Sequence, residues 1–281
     1  MEIRIMRIVS HIRMLLPLLL LVAGFSGCQD GKFNTFSLDD DKKLGQNLAK
    51  QISDDPKQYP VVKREGEWVP VYEGLEEVRD AILASGQLKH AKDFAWEVHV
   101  IDQDTRNAFC APGGYIYFYT GLLKYLDSWD QVAGVMGHEM AHADQRHSTS
   151  QLTQRYGLDM LVQVVTGLSN AKLPGMAADL AGLAAKGGSQ LAALKFSRKD
   201  ESEADECSVK YLYHTKYDAR GVAGFFEKME AEKAEQRPEF ISTHPSHESR
   251  VDDVKKLWKE MGAKEGEPLA AEYKKYKDNI P

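Results

Sequence analysis

GHEMAHADQRHS, residues 137–148, is the stretch on which the reading of this chain turns. It contains His-Glu-x-x-His. On a helix, His138 and His142 lie four apart, so both imidazoles leave the same face. Two ring nitrogens can then reach one cation at about 2.0–2.1 Å. Glu139 stands beside the first of them, placed to take a proton from a water. A surface helix with two solvated histidines would carry the same letters, so the stretch needs a partner elsewhere in the chain.

The helix that holds it begins near Ser128. Ser128 and Gln131 have the spacing of a capping box, and Val132, Val135, Met136 and Met140 supply an apolar face. The pattern runs to about His147. A catalytic tetrahedral site wants a third protein ligand and one open position. One zinc-protease class would place Gly at 145 and His at 148, where this chain has Gln145 and Ser148. His147 is five residues from His142 and faces elsewhere on a continuous helix. The other class takes a Glu from a second helix, and DESEADE, residues 200–206, offers several on a helix from about Lys199 to Tyr213. Glu201 and Asp205 share a face, whereas Glu203 points about 200° round from Glu201. The spacing prefers Glu201 as ligand with Asp205 behind it to orient a histidine. Glu203 is the alternative, with Cys207 four residues on. Without the upstream motif, the whole cluster would read as a charged helix face.

The 281-residue chain fits one sizeable core, with 43% hydrophobic and 28% charged residues. A net charge of -6 and no basic stripe exclude a nucleic-acid partner as an expectation. Arg4, Arg7 and Arg13 precede LLPLLLLVAGFSG, a pattern of secretory signals, and the run from Met14 to Phe25 is too short to span a bilayer. FSGC resembles a bacterial lipobox, which makes Cys28 a lipidated N-terminus, and Gln29 in place of Asp favours the outer membrane. An ordinary signal peptide is the alternative. Residues 29–37 read as a tether. Helices are expected over 38–52 and 75–83, with Gly66 and Pro70 as turn signals between them, and strands over 94–101 and 113–121. Two apolar stretches, 158–168 and 176–194, read as amphipathic helices rather than a membrane hairpin. The stretch after 213 is helical in pattern, with a Pro-containing loop at HPSHES. Cys110 and Cys207 either pair or stay as buried thiols.

HEMAH, FSRKDESEAD, NAFCAPGGYIYFYTG and STHPSHESR together resemble the HtpX/OMA-type zinc metallopeptidases, relatives of the CAAX prenyl proteases, over roughly residues 40–260. The resemblance implies an α+β, mostly helical, zincin-like metalloprotease domain with a small antiparallel or mixed sheet and an HExxH active-site helix. That domain would cover 38–262, after a signal over 1–27 and a tether over 28–37, with 263–281 as a C-terminal tail. It implies one Zn2+ per chain on His138, His142 and Glu201, with Glu139 activating a zinc-bound water and Asp205 at the end of the Glu-x-x-Ala-Asp motif. His244 and Arg250 match the family's His-Pro followed by Arg. They would approach the zinc, steady the oxyanion or gate access, unless they form a structural loop with a buried Arg. NAF and GGYIYFYTG resemble an edge strand that holds an extended peptide. Cys110 is not part of the pattern; close to the zinc, it would make the site redox-sensitive. The activity expected is an endopeptidase of the exported lipoprotein branch, in the periplasm. It would be held at the outer membrane through Cys28 and act on misfolded or misassembled envelope proteins, restrained by a lid in 151–195 or by the His244 loop. The rival is a non-proteolytic assembly factor for outer-membrane proteins with a structural zinc, against which Glu139 argues.

Overall fold

The protein is described here as a computed structural model covering residues 28–29, 32–155, 196–232, 239–245, 249–267 and 269–281. The expected signal over 1–27, the apolar stretches at 158–168 and 176–194, the proposed lid there and part of the HPSHES loop lie outside the described residues. Two compact units are present. The smaller holds β1 (Cys28–Gln29) and β2 (Lys32–Phe33), an antiparallel pair. Residues 149–155 of the same unit are helical, and Asn34 Nδ2 donates to Thr149 Oγ1 at 3.0 Å while the Thr35 amide donates to Thr153 Oγ1 at 3.1 Å.

The larger unit opens with α1 (Leu38–Asp54), β3 (Val61–Val62) and α2 (Val69–Ala84). Pro70 lies in the first turn of α2, where its missing N–H costs nothing, so the expected turn is a helix start. Next come β4 (Glu97–Ile101), β5 (Ala108–Ala111) and β6 (Tyr115–Tyr119). The sheet order is β3-β4-β6-β5; β4 and β6 are parallel and the outer pairings antiparallel. One face stacks His99, Tyr117 and Phe109 across three strands, with ring centroids 4.9 and 4.7 Å apart. The other sends Val98, Val100, Cys110, Ile116 and Phe118 into the core. The expected edge strand divides in two. β6, the GGYIYFYTG strand, lies inside the sheet, and β5, which begins within the NAF stretch, is at its edge among the described residues.

The short α3 (Thr120–Tyr125) leads to α4 (Trp129–Asp144). Ser128 caps α4 by accepting from the Gln131 amide at 3.2 Å, but Gln131 Oε1 accepts from Asp127 N rather than from Ser128. After it follow α5 (Arg198–Leu212), α6 (Gly221–Ala231), α7 (Phe240–Thr243), α8 (Arg250–Glu260) and α9 (Ala270–Lys277). Ser197 and Asp200 close a full capping box at the start of α5. α9 does not trail away: Tyr273 is fully buried, donates to Leu123 O at 2.6 Å and meets Trp129 edge-on.

α4 runs between α5 and α6 at backbone contact. Ser208 Oγ of α5 donates to Gly134 O at 2.9 Å, and a Cβ at Gly134 would collide with the Val222 amide nitrogen of α6. Gly134→Ala is therefore expected to destabilise, although Ala favours an isolated helix by about 1 kcal/mol. A clash with backbone cannot be relieved by a rotamer, and overpacking costs about 3 kcal/mol. A net loss of about 2 kcal/mol should appear as a lower denaturation midpoint with unchanged slope. An unchanged midpoint would mean the helices are further apart than described.

Candidate metal centre

α4 is a core helix, not a surface one. His138, Glu139 and His142 are at most 1% exposed. Ionisable side chains are expensive to bury unless each is paired, and here each is. Asp144, on the same helix, shows the structural version: it accepts the His90 amide at 2.8 Å and the Tyr211 hydroxyl at 2.8 Å. The other three point at one spot.

His138 Nε2 and His142 Nε2 lie 3.0 Å apart. Glu201, fully buried on the first turn of α5, puts its two oxygens 3.4 Å from His138 Nε2 and 3.6 Å from His142 Nε2. His244, at the end of α7, reaches in with Nδ1 3.1 Å from Glu201 and 3.2 Å from His138 Nε2. Its Nε2 is 3.3 Å from Glu139. His138, His142, Glu201 and His244 thus present four donor atoms within 4.8 Å of one another. Glu203 does not join them. It turns to His147, 3.5 Å from Nε2, as the 200° offset requires.

Behind the donors, Asp205 Oδ1 sits 2.8 Å from His138 Nδ1. Arg250 grips Asp205 with two bonds of 2.7 and 2.8 Å, pairs with Glu201 at 3.0 Å and lies 4.0 Å over the Phe226 ring. The fork neutralises two buried carboxylates at once. Phe196 stacks on His142 at 3.9 Å and Phe240 on His244 at 4.2 Å, apolar contacts that the sequence reading did not single out.

His147 overturns its expected placement. A continuous helix would carry it away from His142. Instead α4 ends at Asp144, and Arg146 adopts φ of 57°, which turns the chain back. His147 Nδ1 then lies 2.9 Å from His142 Nδ1.

This donor set fits a cation. With its N–H directed at Asp205, His138 offers the Nε2 lone pair inward, toward another imidazole and a carboxylate, and those groups repel unless positive charge sits among them. The electrostatics agree. Burial pulls His138 down, yet Asp205 and Glu201 outweigh it and push it up to about 9. Burial would raise Glu201, but His244 and His138 hold its carboxyl well below the usual range. His142 is driven well below its ordinary value by burial and by His138, which favours the neutral ring. Glu139 is raised by burial, against the pull of His244 and His138, and accepts the backbone N–H of Cys110 on the edge strand.

Cys110 is close to Glu139, but burial and that neighbouring carboxylate raise its thiol far above the ordinary value. The expected redox sensitivity finds no support, because the thiolate is the reactive form. Cys110 and Cys207 are both free, so the disulfide alternative is set aside.

The family model described as Peptidase family M48 matches residues 73–258. The mitochondrial metalloendopeptidase OMA1 of Schizosaccharomyces pombe is 28% identical over 249 residues, covering 83% of this chain and 65% of that protein. OMA1 of Arabidopsis thaliana is 33% identical over 167 residues, 59% of this chain and 32% of the relative. The beta-barrel assembly-enhancing protease of Escherichia coli K12 is 30% identical over 182 residues, 62% of this chain and 37% of the relative. The chain therefore spans between about a third and just under two thirds of these relatives.

Proposed function

Because this chain belongs to peptidase family M48, we propose that it is a zinc-dependent endopeptidase with Glu139 as its proton carrier. The observation that carries the reading is a fully buried carboxylate, Glu139, beside a convergent set of two imidazoles and a second carboxylate. Two nitrogens and one oxygen suit zinc better than calcium or magnesium, which take oxygen ligands. A zinc ion held by His138, His142 and Glu201 supplies Lewis acidity toward a scissile carbonyl and a water of lowered pKa. The chain's own residues do the rest. Glu139, raised by burial and steadied by the Cys110 amide, takes a proton at its carboxylate and returns it to the leaving amine. Asp205 fixes the His138 ring, and Arg250 fixes Asp205. The edge strand β5 lies where an extended peptide could add a strand.

His244 completes a set of four donors, whereas a catalytic site needs one open position. In this reading the His244 loop withdraws before cleavage, which makes it the restraint. A closed four-donor centre is also what a purely structural zinc would show, and Glu139, 3.3 Å from His244, is the feature that rival does not need.

The wider assignment is part of the same proposal. Residues 1–27 act as a signal, Cys28 carries lipid at the outer membrane, 28–37 form the tether, 38–262 the peptidase domain, and 263–281 a C-terminal segment whose α9 packs back onto that domain. Its substrates are misfolded or misassembled envelope proteins in the periplasm. The name of the Escherichia coli relative supports an envelope role, and among the described residues no helix is long and apolar enough to cross a membrane.

The test uses the chain lacking residues 1–28 and an unfolded, disulfide-free protein. Cleavage should stop on chelation and return with zinc. Glu201→Ala should hold less than about a tenth of the wild-type zinc, as loss of a direct ligand predicts, while Glu203→Ala keeps it. Near-full zinc in Glu201→Ala would overturn the ligand assignment.

A further inference from the structure

We propose that α7 and an incoming peptide compete for the same backbone groups of β5, so that a substrate strand opens the metal centre by pairing with the edge. The proposal deepens the peptidase reading and rests on it. In an antiparallel pair, residues that bond the partner strand alternate with residues that face away from it. The Tyr119 amide donates to Asn107 O at 3.2 Å, so Asn107 faces β6. Arg106, Ala108 and Cys110 then direct their N–H and C=O groups away from β6, where an added strand would bond. Three of these groups are held from within the chain. The Cys110 N–H goes to Glu139, the Ala108 N–H goes to Asn107 Oδ1 at 3.0 Å, and Arg106 O accepts the Phe240 N–H of α7 at 3.3 Å.

The last of these contacts bears on the metal centre. Cys110 stands beside Glu139, so the bond to be cut lies at that end, and a peptide running along β5 passes Ala108 and reaches Arg106. Asn107 yields by rotating its side chain. Phe240 cannot, because its backbone carries α7. The His244 amide and the Thr243 hydroxyl both donate to Phe240 O, at 2.9 and 3.0 Å, and the Phe240 ring stacks on His244 at 4.2 Å. This single turn, about 6 Å long, moves as one piece. Arg106 stays, with its guanidinium 4.5 Å over the Tyr125 ring and 3.3 Å from Glu232. The Phe240 bond, at 3.3 Å, is just outside the usual range of about 2.7–3.2 Å and so is easily exchanged. A substrate N–H that replaces it at Arg106 O draws α7, and His244 with it, off the donor set. A peptide too short to reach Arg106, or with proline at that position, leaves His244 in place. The site thereby selects long extended chains over short peptides.

The experiment uses the zinc-loaded full chain carrying Glu139→Gln, with an unfolded, disulfide-free protein as the added strand, and reads amide hydrogen exchange residue by residue. Binding should slow exchange at Ala108 and speed it at Phe240, each by at least about tenfold. A Phe240 amide that keeps its protection while Ala108 gains it would mean that the peptide and α7 share the edge, and would overturn the proposal. No gain at Ala108 would overturn it as well, because the edge then takes no strand. Opposed changes at Ala108 and Phe240, in a chain whose wild type cuts nothing, would uphold the competition and count against the peptidase reading alone.

Discussion

Glu139→Gln is expected to lower cleavage of an unfolded protein by about 10³-fold while leaving the bound zinc in place. General-base catalysis contributes about 10²–10⁴-fold, and a factor of 10³ corresponds to about 4 kcal/mol of lost transition-state stabilisation. The substitution is as close to silent in structure as this site permits. An amide oxygen can still accept the Cys110 N–H that Glu139 holds, and the side chain keeps its volume in a position 1% exposed. What it loses is the ability to take and return a proton. Zinc content measured on the same sample separates loss of the base from loss of the metal. A Gln variant with more than a tenth of the wild-type rate would remove Glu139 from its role.

The second large effect is on stability. Arg250→Ala should cost about 4 kcal/mol, because removing one partner of a buried ion pair leaves uncompensated charge. Here two carboxylates are stranded, Asp205 and Glu201, and the stacking on Phe226 goes as well. The measurement belongs in chelator, so that no bound cation stands in for the missing guanidinium. Arg250→Lys should recover only part of the loss, since an ammonium restores charge but not the two-pronged grip on Asp205. A drop below about 1 kcal/mol for Arg250→Ala would mean that the carboxylates find another partner.

How much of this was legible beforehand differs residue by residue. The helix around His138 and His142 could be read because its spacing and its Ser128 cap are local signals. The grouping of Glu201 with Asp205, and the turning away of Glu203, follow from helical geometry alone. β5 is only half legible: the NAF stretch marks its start by resemblance, but Ala-Phe-Cys-Ala is four residues long, lacks alternation and runs into Pro112, so its pairing with β6 is what defines the strand. His147 was misplaced because a helix was continued through Arg146, whose positive φ no propensity scale announces. The grip of Arg250 on Asp205 joins positions 45 apart in the chain, and no periodicity spans that distance. The inward packing of α9 depends on Tyr273 finding Trp129, again a matter of tertiary contact.

The position of α4, buried on every side and pressed against two neighbours through glycine, has a consequence for a molecule proposed to cut unfolded chains. Such molecules meet their own kind at close range. The segment bearing Glu139 opens only when the whole unit does, so it stands at the slow end of local opening. A sibling's active site reaches frayed ends and surface loops first. Self-digestion would therefore trim the periphery long before it touched the centre, and aged preparations should retain an intact 129–144 segment after their ends are gone.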